Sequence, residues 1–401
     1  MQATTSREPC AGRVAGRVIG RCDLRLWSLP QAERWRRSLT RAGVGQVTDE
    51  SGPLPDADSL VLARADYVLD DGLIRALVAT PSILLAVDRA DGGKDPVAVH
   101  VPAARAAEAA CILGGTSPTQ SDLGSDLAVV GPDDLGARHN AALRKRTRPF
   151  AIKLTRDSLR EAERLTFAGA YKGVTDLVTK YVWPAPARVV TRWAAAWGIS
   201  PNMVTAASLA LVLVALWLFA SGSFWAGLGA AWVMTFLDTV DGKLARVTLT
   251  SSRWGNVFDH GIDLIHPPFW YWAWWYGLHA EGETTALWAV SSGALWVVVG
   301  GYVIGRLMEG FFIWRFGMEI HVWRPIDSLF RLITARRNPN LLLLTVGTAL
   351  GRPDLGFGAI AVWTAASLAF HALRIVQAAV LKARGRPIIS WLSEPAMSAS
   401  T

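Results

Sequence analysis

Between residues 202 and 381 the chain strings apolar residues together over lengths that soluble folds seldom carry: 202–220, 224–242, 255–279, 285–308, 339–352 and 355–381. About 20 apolar residues rising ~1.5 Å each cross the roughly 30 Å of hydrocarbon in a bilayer. Only 339–352, whose clean run is LLLLTVGTAL, falls clearly short. Seventeen of the 19 tryptophans lie after residue 182, and Trp enrichment beside apolar runs is a habit of membrane interfaces. The basic residues take sides. Lys243, Arg246 and Arg253 follow the second run, the stretch 306–337 at the end of the fourth carries Arg306, Arg315, Arg324, Arg331, Arg336 and Arg337, and Lys382, Arg384 and Arg386 follow the last. The opposite loops SGS, HAEGETT and GRPDL hold only Arg352. The positive-inside rule then puts both termini in the cytoplasm and demands an even number of crossings. The expected fold is mainly α, a six-helix transmembrane bundle over 199–385 followed by a tail at 386–401.

The first half reads differently. Residues 1–22 are small, polar and basic and are expected to be disordered. From 23 to 115 the pattern is that of a cytosolic α/β domain. LWSLPQAERWRRSLTRAGV has helical spacing, while SLVLAR, SILLAVD and PVAVHV read as short buried strands. A Gly/Ser/Asp-rich linker is expected over 116–157. At 158–198 apolar, aromatic and basic residues alternate at helical period, which predicts an amphipathic segment lying in the membrane interface. The net charge of +8 would suit anionic lipid or nucleic acid. Finger spacings and RNP-type aromatic runs are both missing, so nucleic acid is excluded as a partner. Cys10, Cys22 and Cys111 lack CxxC or His-rich company, which supports neither a disulfide framework nor a zinc site and suits a reducing compartment. Arg13, Arg17 and Arg21 precede no apolar h-region, so no secretory signal is read.

FLDTVDGKLARVTLTSSRWGNVFDHGID, 236–263, sets four aspartates inside this apolar half. Asp238 and Asp241 are three apart and Asp259 and Asp263 four apart, spacings that put each pair on one helix face. Four neighbouring carboxylates near hydrocarbon repel and are costly to desolvate unless compensated. Hard divalent cations with a preference for oxygen ligands are the natural compensation. Gly242, Ala245 and Gly255 remove side-chain volume beside the carboxylates, and Arg246 offers a forked donor for phosphate oxygens. Together these residues outline a pocket for a metal-bound diphosphate.

Asp238-x2-Asp241-Gly242-x2-Ala245-Arg246-x8-Gly255-x3-Asp259-x3-Asp263 resembles the complete signature of the CDP-alcohol phosphotransferase (CDP-alcohol phosphatidyltransferase) family. Eight residues at fixed offsets arise by chance on the order of 10⁻¹⁰ times per starting position. The lead-in ISPNMVT, 199–205, is similar to the family's as well. The resemblance implies an enzyme that displaces CMP from a CDP-linked alcohol with a second alcohol's hydroxyl. It further implies that Asp238, Asp241 and Asp259 hold Mg²⁺ or Mn²⁺, two ions in all, with Asp263 contributing to the metal site and acting as the catalytic base. Gly242, Ala245 and Arg246 would hold the CDP moiety, Gly255 would allow close helix approach, and the protein would be a homodimer among membrane lipids.

The run from Arg306 to Asn340 suggests an anionic acceptor surface with Arg331, Arg336 and Arg337 as its candidates, against plain positive-inside bias. His371 and Arg374 lie inside the last apolar run and are candidates on that ground, although snorkelling accounts for Arg374 equally. His260 and His266 flank the metal helix, where local hydrogen bonding is the simpler role. ADYVLDDGLIRAL looks like part of a nucleotidyltransferase domain, with Asp66 where a metal carboxylate would stand. A Gly-rich phosphate loop is missing, so the segment is read as degenerate. The leading expectation is a phospholipid-making transferase. Its rivals are a polar-donor enzyme using CDP-inositol to make a phosphoinositol product, and a catalytically silent membrane scaffold.

Overall fold

The computed structural model describes residues 13–89, 91–115, 127–136, 139–141, 143–280 and 288–393. These residues form two compact units. The first holds β1 (Val14–Ile19), β2 (Arg25–Leu26), β3 (Leu29–Pro30), α1 (Gln31–Arg41), β4 (Gln46–Thr48), β5 (Ser59–Arg64), β6 (Tyr67–Leu69) and α2 (Asp71–Ala79). Then follow β7 (Ile83–Asp88), β8 (Lys94–Pro102), α3 (Ala106–Leu113), β9 (Ala128–Val130), α4 (Pro132–Leu135) and β10 (His139–Asn140), which pairs with β11 (Lys145–Arg146). β12 (Ala151–Lys153) and α5 (Leu159–Gly169) complete the unit.

Its sheet runs β4-β1-β5-β8-β7-β9, parallel across β4, β1 and β5, antiparallel on either side of β8, and parallel again at β9. Period-two alternation along β5 sorts its residues. Val61 and Ala63 pack with Trp35 and Leu39 of α1 and Leu73 and Leu77 of α2, while Leu60 and Leu62 pack with Ala106, Ala109 and Leu113 of α3. Helices therefore cover both faces. Asp70 caps α2, accepting from Gly72 and Leu73 amides at 2.7 and 3.0 Å.

Three boundaries differ from expectation. The stretch expected to be disordered, 1–22, contains β1, an interior strand; only 1–12 lie outside the described residues. The expected linker, 116–157, contains β9 on the sheet edge and β12 paired antiparallel with β6. The expected interfacial segment 158–198 is divided. Its α5 belongs to the first unit, where the Trp27 indole donates to Thr166 Oγ1 at 2.8 Å, and the rest belongs to the second.

The second unit is mainly helical. After a helical turn at Val178–Val182 come α6 (Pro184–Ala196), α7 (Pro201–Ala220), α8 (Phe224–Val247), α9 (Arg253–Ala280), α10 (Ser292–Phe316), α11 (Pro325–Phe330), α12 (Arg337–Ala349) and α13 (Pro353–Ala383). Among the described residues α7, α10 and α13 are long and apolar enough to cross a membrane. α8 and α9 have the length but carry the aspartates. α12 has 13 residues, about 20 Å of helix. The core gathers Phe219, Phe224, Trp270, Trp274, Phe357 and Ile360. α12 and α13 approach until backbones touch, for a Cβ on Gly347 would lie 2.5 Å from Gly356 Cα. Most of the loop HAEGETT lies outside the described residues.

Candidate functional site

α8 brings Asp238 and Asp241 to one face, and α9 brings Asp259 opposite them. One carboxylate oxygen from each of the three lies within 4.8 Å of the others. Asp241 is buried. Its Oδ2 accepts from the Thr205 hydroxyl of α7 at 2.6 Å, while its Oδ1 has no hydrogen-bond partner. Leaving a buried carboxylate oxygen unpaired costs on the order of 1–3 kcal/mol, so something must offset it. Oxygens sharing one small divalent ion at ~2.0–2.1 Å stand at most roughly 4.2 Å apart. The orphaned oxygen and the hard donor set fit such an ion, and oxygens within 4.8 Å of one another need only a small closing movement to share it.

Asp263 stands slightly apart from the trio. Arg337, at the first turn of α12, donates through Nη2 to Asp238 Oδ2 at 2.5 Å and through Nη1 to Asp263 Oδ1. It therefore bridges the two aspartates, a role the sequence reading did not give it.

Arg246 lies over its own helix, its Nη2 3.1 Å from where a Gly242 Cβ would be. Gly255 stands on α9. A Cβ there would meet Asn202 Oδ1 and Ser252 Oγ, each at 3.0 Å, so the glycine makes room for the start of α7.

The three acceptor candidates separate. Arg337 belongs to the carboxylates. Arg336 pairs with Glu309 of α10, which also accepts from His321 Nε2 at 3.1 Å. Burial pushes His321 down to about 3, so it is neutral, although the Glu309 hydrogen bond works in the opposite sense. Arg331 is buried with Nε and Nη1 unpartnered, and burial, then the Arg336 charge, pushes it down to about 9. Arg374 is structural, since both its Nε and Nη2 meet Asp327, at 2.6 and 2.8 Å. His371 lines a cavity of about 30 Å³ with Tyr302, Arg306, Glu309 and Arg336. His266 Nδ1 bonds the Ile262 carbonyl at 2.7 Å, the local role expected of it, and exposed His260 stands 3.8 Å from Asp259.

Two further features escaped the sequence reading. Thr205, which touches Asp241, was visible as a polar residue i, i+3 with Ser208 on an otherwise apolar helix. The Tyr302 hydroxyl lies 3.2 Å from the Asp263 carbonyl and 3.0 Å from that of Leu264. Its signal was the pair Pro267 and Pro268, four residues after each.

Three helices long and apolar enough to cross a membrane, with a cluster of aspartate oxygens at a helix pair, are the features of a membrane protein with a candidate cation site. Residues 198–371 match the family model for CDP-alcohol phosphatidyltransferase, so this part of the chain is similar to that family's domain. The family is one of transferases of phosphate groups, generally dependent on a divalent metal.

Proposed function

We propose that the chain is an integral-membrane, metal-dependent CDP-alcohol phosphotransferase that moves a substituted phosphate from a CDP-linked alcohol to an acceptor hydroxyl and releases CMP, in phospholipid biosynthesis. The observation that carries this reading is the meeting of Asp238, Asp241 and Asp259, from two helices, within 4.8 Å. These three aspartates would hold Mg²⁺ or Mn²⁺, and Asp263 would complete the metal site. The ions, when bound, neutralise the diphosphate and the charge developing on departing CMP. Arg246, with the space left by Gly242 and Ala245, grips the diphosphate of the donor.

Asp263 takes the proton of the acceptor hydroxyl as its oxygen bonds the β-phosphorus. The bond from that phosphorus to the oxygen of CMP breaks, and the pair of electrons leaves with CMP. Arg337 orients both Asp238 and Asp263. Arg331, with two unpaired donors, and Arg336, on the cavity beside Tyr302, are the groups from which an anionic acceptor is recognised. We place the active site and both termini on the cytoplasmic side of a six-span homodimer.

The first unit bears on the polar-donor alternative. Arg64 holds Asp66 at 2.9 and 2.7 Å, Lys153 Nζ lies 3.8 Å from it, and Arg64 also reaches Asp95 at 2.5 Å. A carboxylate already paired with two cations supports a non-catalytic role for this unit.

The test is CMP release by purified protein in detergent with Mg²⁺ or Mn²⁺, with each donor offered separately against a panel of alcohols. Release from CDP-diacylglycerol is expected, and release from CDP-inositol alone would move the reading to the polar donor. Asp259→Asn is expected to lose at least about 10²-fold in turnover. Full turnover in that variant would overturn the assignment of the metal site, and no CMP release from any donor by the unaltered protein would return it to the scaffold reading.

A further inference from the structure

α9 contains two consecutive prolines just past its last aspartate. A proline in a helix interior has no amide hydrogen for the carbonyl four residues earlier, and its ring pushes that carbonyl outward. Pro267 and Pro268 thereby free the carbonyls of Asp263 and Leu264. Inside an apolar bundle each freed carbonyl needs a donor from elsewhere. Tyr302, from the facing helix α10, supplies one hydroxyl to both, at 3.2 Å to Asp263 O and 3.0 Å to Leu264 O. One proton shared between neighbouring carbonyls is a three-centre bond.

The hydroxyl is itself held. Arg306 Nη2 donates to Tyr302 Oη at 3.4 Å and its guanidinium lies 5.2 Å from the ring centroid, while Arg306 Nη1 stands 3.6 Å from Glu309 Oε2. Donation to the oxygen of an O–H polarises it and strengthens the bond it gives. A chain of polar contacts thus runs from Glu309 through Arg306 and Tyr302 to the backbone of Asp263.

We propose that Tyr302 is a positioning residue for Asp263: by satisfying the two carbonyls that Pro267 and Pro268 release, it fixes the turn of α9 that carries the base. The prolines make the turn plastic and Tyr302 sets it in one conformation. On the carboxylate side the same residue is held by Arg337, so backbone and side chain of Asp263 are fixed from different helices. This inference rests on the reading of Asp263 as the base of a CMP-releasing reaction.

A double-mutant cycle tests it, using the full chain in detergent and CMP release as the readout. Tyr302→Phe keeps the ring and removes only the donor. It is expected to lower kcat about tenfold and leave the KM for the CDP-linked donor within twofold. Pro267→Ala with Pro268→Ala gives α9 back its own amides. In that background Tyr302→Phe is expected to cost less than twofold, because the helix then satisfies the carbonyls itself. Equal losses in both backgrounds would overturn the proposal, as would an unchanged kcat in Tyr302→Phe alone. A rise in KM with kcat preserved would make Tyr302 a substrate contact and overturn it equally. Asp263→Asn separates this failure from failure of the underlying reading. Full turnover in Asp263→Asn removes the base and with it the positioning role, leaving Tyr302 a brace whose coupling to the prolines appears in thermal stability only. Lost turnover in Asp263→Asn with an uncoupled cycle leaves the base in place and sinks the role of Tyr302.

Discussion

Thr205 touches the site through one atom, and that atom explains why Asp241 presents an unpaired oxygen. With Oδ2 taken by the hydroxyl at 2.6 Å, the carboxylate is held in one orientation and Oδ1 is left without a hydrogen-bond partner. Outer partners of metal ligands are worth about 10–100-fold in metal affinity. Thr205→Val is therefore expected to weaken Mn²⁺ binding, followed by titration calorimetry, by about that factor, and Thr205→Ser is expected to restore it. Unchanged affinity in the valine variant would remove Thr205 from the site. His100 of the first unit makes a different residue-scale prediction. It is buried, its Nε2 lies 2.9 Å from Ser59 Oγ, and burial depresses its pKa below the usual 6.5. The unfolded chain binds that proton first, so the stability this group contributes is whole above about pH 6.5 and is lost as pH falls toward the depressed folded value. The melting temperature is expected to drop on acidification below pH 6.5, with a shallower slope in His100→Asn. An equal slope in the variant would assign the effect to other groups. What could be read residue by residue followed from distance along the chain. The aspartate pairs lie three and four apart, within reach of helical periodicity, whereas Arg337 finds its partners 74 and 99 positions away, where no local pattern points.

Elements were legible in proportion to how much of their burial their own residues declare. β5, β7 and β8 carry the apolar runs LVLA, ILLAV and PVAV and were expected as buried strands. β1, VAGRVI, lies between β4 and β5 at equal depth, but its Gly16 and Arg17 interrupt the run. The glycine there is a packing device, since a Cβ would stand 2.9 Å from Leu39 Cδ1 of α1. β12 has three residues and exists only by pairing with β6, 82 positions away at its Ala151 and Leu69 end, which no window of sequence captures. Among the helices, α12 depends on α13. Gly347 and Gly356 meet at backbone distance, so Gly347→Ala must separate the pair and is expected to cost about 1–3 kcal/mol. Thermal unfolding in detergent checks this, with Gly300→Ala, on α10 with nothing within 4 Å of the added methyl, as a control expected to leave stability close to unchanged. Equal melting temperatures for both variants would mean that α12 and α13 do not pack as described.

At the scale of the whole molecule the chemistry dictates the membrane arrangement more firmly than hydropathy does. α8 has 24 residues, about 36 Å of helix, and its charged groups are confined to the last turns, from Asp238 onward. Its opposite end, at Ser221–Ser223, is uncharged. In the proposed arrangement this helix, with its apolar start and its basic, aspartate-bearing end, crosses with the aspartates at the cytoplasmic face, where a water-soluble CMP could leave. α9 then starts on that face and returns, which brings Asp259 level with Asp238 and Asp241, as their spacing within 4.8 Å requires. Two helices crossing in opposite directions put the turn at 221–223 and the turn at 248–252 on opposite sides. In a background with Cys10, Cys22 and Cys111 replaced by serine, Ser221→Cys is expected to react with a membrane-impermeant maleimide from outside intact cells. Ser251→Cys and Lys382→Cys are expected to react only in inverted vesicles. Labelling of Ser221→Cys and Ser251→Cys from the same side would mean that α8 does not cross, and the carboxylates would then have to be reached from a helix pair lying along the membrane, an arrangement in which their burial has no cause.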